Sequence, residues 1–230
     1  MKYDILLWDV DNTLLNFGYS ERYAMKHCFQ MIGREISEDW ITRYAEINLG
    51  YWKRLEKGEV SKAEVLRGRF EDLFQEMNLS ISEKELVQFQ AEYQKALGSV
   101  YQYRDDSFKL CQKLKSCCRQ YLVTNGVEST QRNKLQLSGL DALMEDIFIS
   151  EKIGFVKPEK EFFDTCFAQI PDFTKGKVLL IGDSLSSDIK GAKNAGIASC
   201  WYNPEGKETD GIIPDYTIQN LWEVEQIIQR

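Results

Sequence analysis

The sequence predicts an α/β protein: a mostly parallel sheet with helices on both faces, and an all-helical domain inserted into it. Three observations carry that expectation. Short apolar runs with strand character recur at residues 3–8, 120–124, 146–150, 178–182 and 198–202, with a weaker one at 216–218. Between the later runs lie helix-length segments, the alternation produced by right-handed crossovers between parallel strands. The first gap is different, because the chain between Trp8 and Gln120 far exceeds the crossover of about a dozen residues that two parallel strands need.

Taken in order, the first run ends in Trp8-Asp9-Val10-Asp11-Asn12-Thr13. Residues two apart in an extended segment point the same way, so Asp9 and Asp11 are expected to face one crevice at the carboxyl end of a strand, where open α/β sheets put their ligands. Two such carboxylates repel unless a cation or a shared proton separates them. On its own the motif fits a solvated turn about as well. The surplus that follows reads as helices at 21–32, 38–56, 62–77 and 83–97, punctuated by Gly33, Gly58 and Asn78, with Ser61 and Ser82 as N-caps. This predicts a helical domain over residues 16–90 and an α/β domain made of 1–15 and 91–230. Residues 106–117 then serve as the crossover helix into the second strand. Most aromatics of the insertion (Trp40, Tyr44, Tyr51, Trp52, Phe70, Phe74) are assigned to packing by their spacing.

Composition narrows the function classes. With 43% hydrophobic and 28% charged residues the chain is expected to be a soluble globular protein, and its formal charge of −7 argues against a general nucleic-acid or anionic-membrane binder. Asp4 and Asp9 bracket too short an apolar run for a signal peptide, so a cytoplasmic location is expected. Six cysteines without Cys-x-x-Cys spacing are expected to be reduced, buried small hydrophobes. His27 is the only histidine, which argues against a zinc site and most His-based nucleophile schemes.

Three further groups stand at predicted strand ends. Thr124-Asn125-Gly126 offers a hydroxyl, an amide and backbone N–H groups suited to phosphate oxygens. Lys157 precedes Pro158, which can open a helix over 159–169. Gly182-Asp183 ends an apolar strand, with Asp188 about one helical turn later. Each alone reads equally as a surface charge, a strand end or a helix cap. Their order on one sheet is what gives them weight.

These four groups resemble the motifs of the haloacid dehalogenase superfamily of phosphohydrolases, over nearly the whole chain. The resemblance implies a Rossmann-like core with a helical cap inserted after the first motif. Gly50-Tyr51-Trp52, residues 57–61, Arg69-Phe70 and Pro214-Asp215-Tyr216 are similar to the pyrimidine 5′-nucleotidase branch. A departure is Tyr103-Arg104-Asp105-Asp106, where many relatives carry Pro-Gly at the return from cap to core.

The resemblance implies Asp9 as nucleophile, forming an aspartyl-phosphate, and Asp11 as general acid and base. Mg²⁺ is the implied cofactor, held by Asp9, Asp11 through its backbone carbonyl, Asp183 and Asp188. Lys157 would bind phosphate and hold Asp9 ionised, while Thr124, Asn125 and Gly126 hold the equatorial oxygens. Asn48 and Trp52 are candidate substrate contacts in the cap, with Arg69 beside them, each equally readable as structural. The acid two residues after the nucleophile favours phosphoester hydrolysis over dehalogenation, since halide leaves without a proton. The expected activity is a Mg²⁺-dependent nucleoside 5′-monophosphate phosphohydrolase acting on a small phosphomonoester. A sugar-phosphate or phosphoglycolate phosphatase, a phosphomutase, and a non-catalytic phosphate-binding module are the alternatives.

Overall fold

The computed structural model describes residues 1–229. Six strands form one sheet: β1 (Ile5–Trp8), β2 (Arg119–Thr124), β3 (Asp146–Ile149), β4 (Val178–Gly182), β5 (Ala198–Tyr202) and β6 (Tyr216–Ile218). Their order is β3-β2-β1-β4-β5-β6, and every neighbouring pair is parallel. The apolar runs therefore are the strands, including the weak one at Tyr216.

Alternation along β1 builds the two cores. Leu6 and Trp8 join Leu122, Leu179, Ile181, Leu110, Leu114 and Leu135 on one face, while Ile5 and Leu7 join Val123, Leu180, Phe162, Phe163 and Ala192 on the other. Because both faces are covered, the strands read as continuous apolar runs rather than as alternating ones. The helices of this α/β unit are α5 (Ser107–Leu114), α6 (Glu128–Ser138), α7 (Ser150–Ile153), α8 (Lys160–Phe167), α9 (Lys190–Ala195) and α10 (Val224–Gln229).

The inserted helices are α1 (Phe17–Met31), α2 (Glu38–Glu56), α3 (Lys62–Glu76) and α4 (Glu83–Leu97). Ser61 and Ser82 each close a capping box with the glutamate three residues on, and Gly33, Gly58 and Asn78 take the left-handed conformation that stops a helix. The chain divides into an α/β unit of residues 1–17 and 101–230 and a helical unit of 18–100. The expected boundary at 90/91 is thus corrected to 100/101, because α4 runs unbroken through it to Leu97. Tyr44, Phe70, Phe74, Phe89 and Tyr93 pack edge-to-face or stacked in the helical unit's core, whereas Trp40, Tyr51 and Trp52 are only half-buried.

At the departure from the Pro-Gly pattern, Asp105 and Asp106 both adopt positive φ. The Asp105 carboxylate stabilises this by accepting from the Tyr202 hydroxyl and the Leu221 N–H. Five cysteines are buried as expected, but Cys117 is exposed: it lies in the turn between α5 and β2, where its side chain faces outward. His27 stacks on Tyr23. No helix among the described residues is long and apolar enough to cross a membrane.

Candidate active site

The sheet order reverses direction of growth at β1, which has β2 on one side and β4 on the other. That is the switch point at which open α/β sheets leave a crevice beyond their carboxyl ends. Trp8 is in register with Leu122 and Ile181, so the residues just past these positions converge: Asp9 from β1, Thr124 from β2 and Asp183 from β4. Carboxylate oxygens of Asp9, Asp183 and Asp188 lie within 4.8 Å of one another.

Asp188 reaches this cluster because the chain after β4 winds as a wide i→i+5 turn over Leu185–Ile189, a geometry frequent at functional sites. Its Oδ2 accepts from the Ser184 N–H at 3.1 Å. Gly182 is required here, since a Cβ at that position would overlap the Asp188 carboxylate.

Lys157 ties the cluster together. Its Nζ donates to Asp9 Oδ1 and Asp188 Oδ1, each at 2.7 Å, and to the Val123 carbonyl at 2.9 Å, with the residue 1% exposed. Asn125 fixes the lysine's backbone from both ends of its amide, donating to the Lys157 carbonyl at 2.9 Å and accepting from the Lys157 N–H at 2.8 Å. Thr124 is buried, and its hydroxyl accepts from the Gly126 N–H at 3.2 Å. Thr13 donates to Asp183 Oδ1 at 3.3 Å.

Charge decides what this cluster can hold. Burial pushes the Asp9 carboxyl up to about 7; the Lys157 ammonium works against that, and Asp188 adds to it. Burial, then the Asp9 and Asp188 charges, push Asp183 well above the carboxylate range. For Lys157, burial acts to lower the pKa, but the Asp188 and Asp9 carboxylates outweigh it and hold the lysine charged. The raised Asp9 and Asp183 values reflect three carboxylates crowded around one ammonium, a strain that a cation among these hard oxygen donors would relieve. That donor set fits a divalent oxygen-seeking cation.

Asp11 stands apart from the three-carboxylate cluster. Its Oδ1 accepts from the Lys134 ammonium and its Oδ2 from Gln131 Nε2 at 2.5 Å. Neither partner was among the expected site residues. Both sit on α6, whose sequence carries only two leucines and no capping side chain; the one available signal was the spacing of Gln131 and Lys134, which puts them on one helix face.

Asn48 and Trp52 lie in the helical unit, on α2. Asn48 is buried there with both ends of its amide engaged, donating to Glu21 and accepting from Arg69, each at 2.8 Å. Arg69 is itself buried, with its guanidinium against the Phe70 and Tyr93 rings.

The fold and this carboxylate–lysine site are those of a hydrolase of the haloacid dehalogenase type. The chain belongs to that family: residues 3–196 match the model of the haloacid dehalogenase-like hydrolases. It is similar to the HAD-hydrolase YfnB of Bacillus subtilis, at 39% identity over 99% of this chain and 96% of that one. The crystal structure of YfnB bound to magnesium superposes with a TM-score of 0.93, covering 100% of both chains. The pyrimidine 5′-nucleotidase PynA of Streptococcus pneumoniae is 34% identical over 90% of this chain and 87% of its own. The pyrimidine 5′-nucleotidase YjjG of Escherichia coli is 27% identical over 99% of each.

Proposed function

We propose that this phosphatase of the haloacid dehalogenase-like family is a Mg²⁺-dependent nucleoside 5′-monophosphate phosphohydrolase with pyrimidine preference, acting through an aspartyl-phosphate on Asp9. The observation that carries the reading is Lys157 Nζ lying 2.7 Å from both Asp9 and Asp188 at the switch point of the sheet. A buried ammonium there works against the effect of burial, favouring the ionised Asp9 that attacks, and offers charge to a phosphate oxygen.

Asp9 attacks phosphorus; the P–O bond to the alcohol breaks as the Asp9–phosphate bond forms, which divides one hard hydrolysis into two easier steps. Asp11 gives a proton to the departing alkoxide and then takes one from the water that hydrolyses the acyl phosphate, a role worth roughly 10²–10⁴-fold. Thr124 and the Asn125 N–H bind the equatorial oxygens, and the Gly126 N–H orients the Thr124 hydroxyl to which it donates. Asp9 and Asp183 would hold Mg²⁺, supported by Asp188, whose two oxygens already accept from Lys157 and Ser184. When bound, the ion supplies positive charge that screens the nucleophile from the phosphate. Pyrimidine preference rests on the similarity to PynA and YjjG. Within the helical unit we assign a share of that preference to Trp52, so Trp52→Ala should raise KM for UMP much more than for p-nitrophenyl phosphate.

A phosphatase screen over nucleotides and sugar phosphates with Mg²⁺ tests the reading. UMP and dTMP are expected to lead. Faster turnover of sugar phosphates or phosphoglycolate would replace the substrate assignment, and no turnover of any phosphomonoester would remove the activity.

A further inference from the structure

Asp11 is held in a way that the chemistry of the Asp9 cluster does not require. Asp9 and Asp188 share Lys157, whereas Asp11 has a lysine of its own. Lys134 is wholly buried, and its side chain reaches the crevice from α6 to meet Asp11 Oδ1. Burying an ammonium is costly unless a partner compensates, and here that partner is a carboxylate whose side chain stays 25% exposed. Gln131, one turn earlier on the same helix and 2% exposed, occupies the other oxygen of Asp11.

The two donors form a clamp set by the helix. Gln131 presents its NH₂ to Asp11, and its Oε1 is left buried without a hydrogen-bond partner. Leaving an acceptor unsatisfied is a price accepted for holding Asp11 from that side. Gly126 makes room for the clamp: a Cβ there would collide with the Gln131 side chain. The glycine after Thr124 and Asn125 thus serves α6 as well as offering its N–H.

We propose that Lys134 and Gln131 are positioning residues for proton transfer, fixing the Asp11 carboxylate where it meets the leaving group and keeping it out of the Asp9–Asp183–Asp188 cluster. The proposal rests on Asp11 being the acid and base of the reaction. A proton-transfer group displaced by about 1 Å can lose on the order of 10² in rate. The loss should show where protonation of the leaving group matters and be small where it does not.

The test compares UMP, a poor leaving group, with p-nitrophenyl phosphate, in Lys134→Met, Lys134→Arg, Gln131→Leu, Asp11→Asn and the double variant Asp11→Asn/Lys134→Met. Lys134→Met should lower kcat for UMP roughly 10–100-fold with KM little changed, and lose far less on p-nitrophenyl phosphate. Lys134→Arg should recover much of the UMP rate, and the double variant should be no slower than Asp11→Asn alone, because the lysine acts through Asp11. Losses on both substrates in parallel, or losses that multiply in the double variant, would overturn the proposal. If Lys134→Met does not fold, Gln131→Leu carries the same comparison, and an unchanged substrate ratio there overturns it equally. The two claims fail differently. A leaving-group effect in Asp11→Asn that is missing from the clamp variants removes the clamp alone, whereas no such effect in Asp11→Asn removes the role of Asp11 and the clamp with it.

Discussion

Replacing Lys157 by Met removes an ammonium and keeps a stem of similar length. In the native site the Nζ serves Asp9, Asp188 and the Val123 carbonyl, all within 2.9 Å, from a position 1% exposed. The variant therefore leaves two carboxylates buried without their cation. Removing one partner of a buried ion pair costs about 3–5 kcal/mol. In a chain of this size each kcal/mol moves the midpoint by roughly 2–4 °C, so Tm should fall by about 6–20 °C at pH 8 with chelator present. The deficit should shrink at pH 5.5, with the sign fixed by the carboxylates. Asp9 already titrates near 7 with Lys157 beside it, and losing that charge raises it further, so protons relieve the folded variant as pH falls. Circular-dichroism melts of both proteins at the two pH values measure this. Equal Tm at pH 8, or a deficit that grows at pH 5.5, would show that Lys157 does not neutralise these carboxylates.

Three more outcomes are expected. In metal-free wild type, Asp9 and Asp183 have folded pKa values above their unfolded ones, so the stability they allow is present below about pH 4 and is lost as pH rises through 7; Tm should fall from pH 5 to pH 8, and Mg²⁺ should raise it more at pH 8, while a pH-independent Mg²⁺ effect would contradict the assignment. Gly182→Ala should push the Asp188 carboxylate aside and weaken Mg²⁺ binding measured by calorimetry, and an unchanged affinity would detach Asp188 from the cation site. Ser61→Ala and Ser82→Ala should each cost about 1 kcal/mol of stability in denaturant melts through loss of a capping box, with p-nitrophenyl phosphatase activity intact.

What the sequence made legible follows from where physical signals are local. The strands stood out because burial on both faces of a parallel sheet demands unbroken apolar runs, and the starts of α3 and α4 could be placed because Ser61 and Ser82 cap them. Asp9 and Asp183 stand directly after β1 and β4, with Asp188 in the turn that follows β4, whereas Lys157 lies beyond α7 and only its order in the chain singled it out. The inward face of α6 was not legible. It turns Gln131 and Lys134 inward, so its buried face is polar and no apolar stripe announces it. The same reason hid the second role of Gly126, which depends on a side chain five residues later. Asn48 shows the opposite case: a polar residue in the helical insertion suggested a ligand contact, and its amide is engaged at both ends with Glu21 and Arg69 inside that unit.

Asp9 is expected to become phosphorylated during turnover. Mixing the enzyme with UMP and Mg²⁺, quenching in acid within milliseconds and reducing with borohydride converts an acyl phosphate to an alcohol that peptide mass spectrometry can place. That change is expected at Asp9, in the peptide carrying Trp8 and Asp11, and is expected to be lost in Asp9→Asn. Turnover of UMP with no reducible acyl phosphate at Asp9, or with one on another carboxylate, would contradict that expectation.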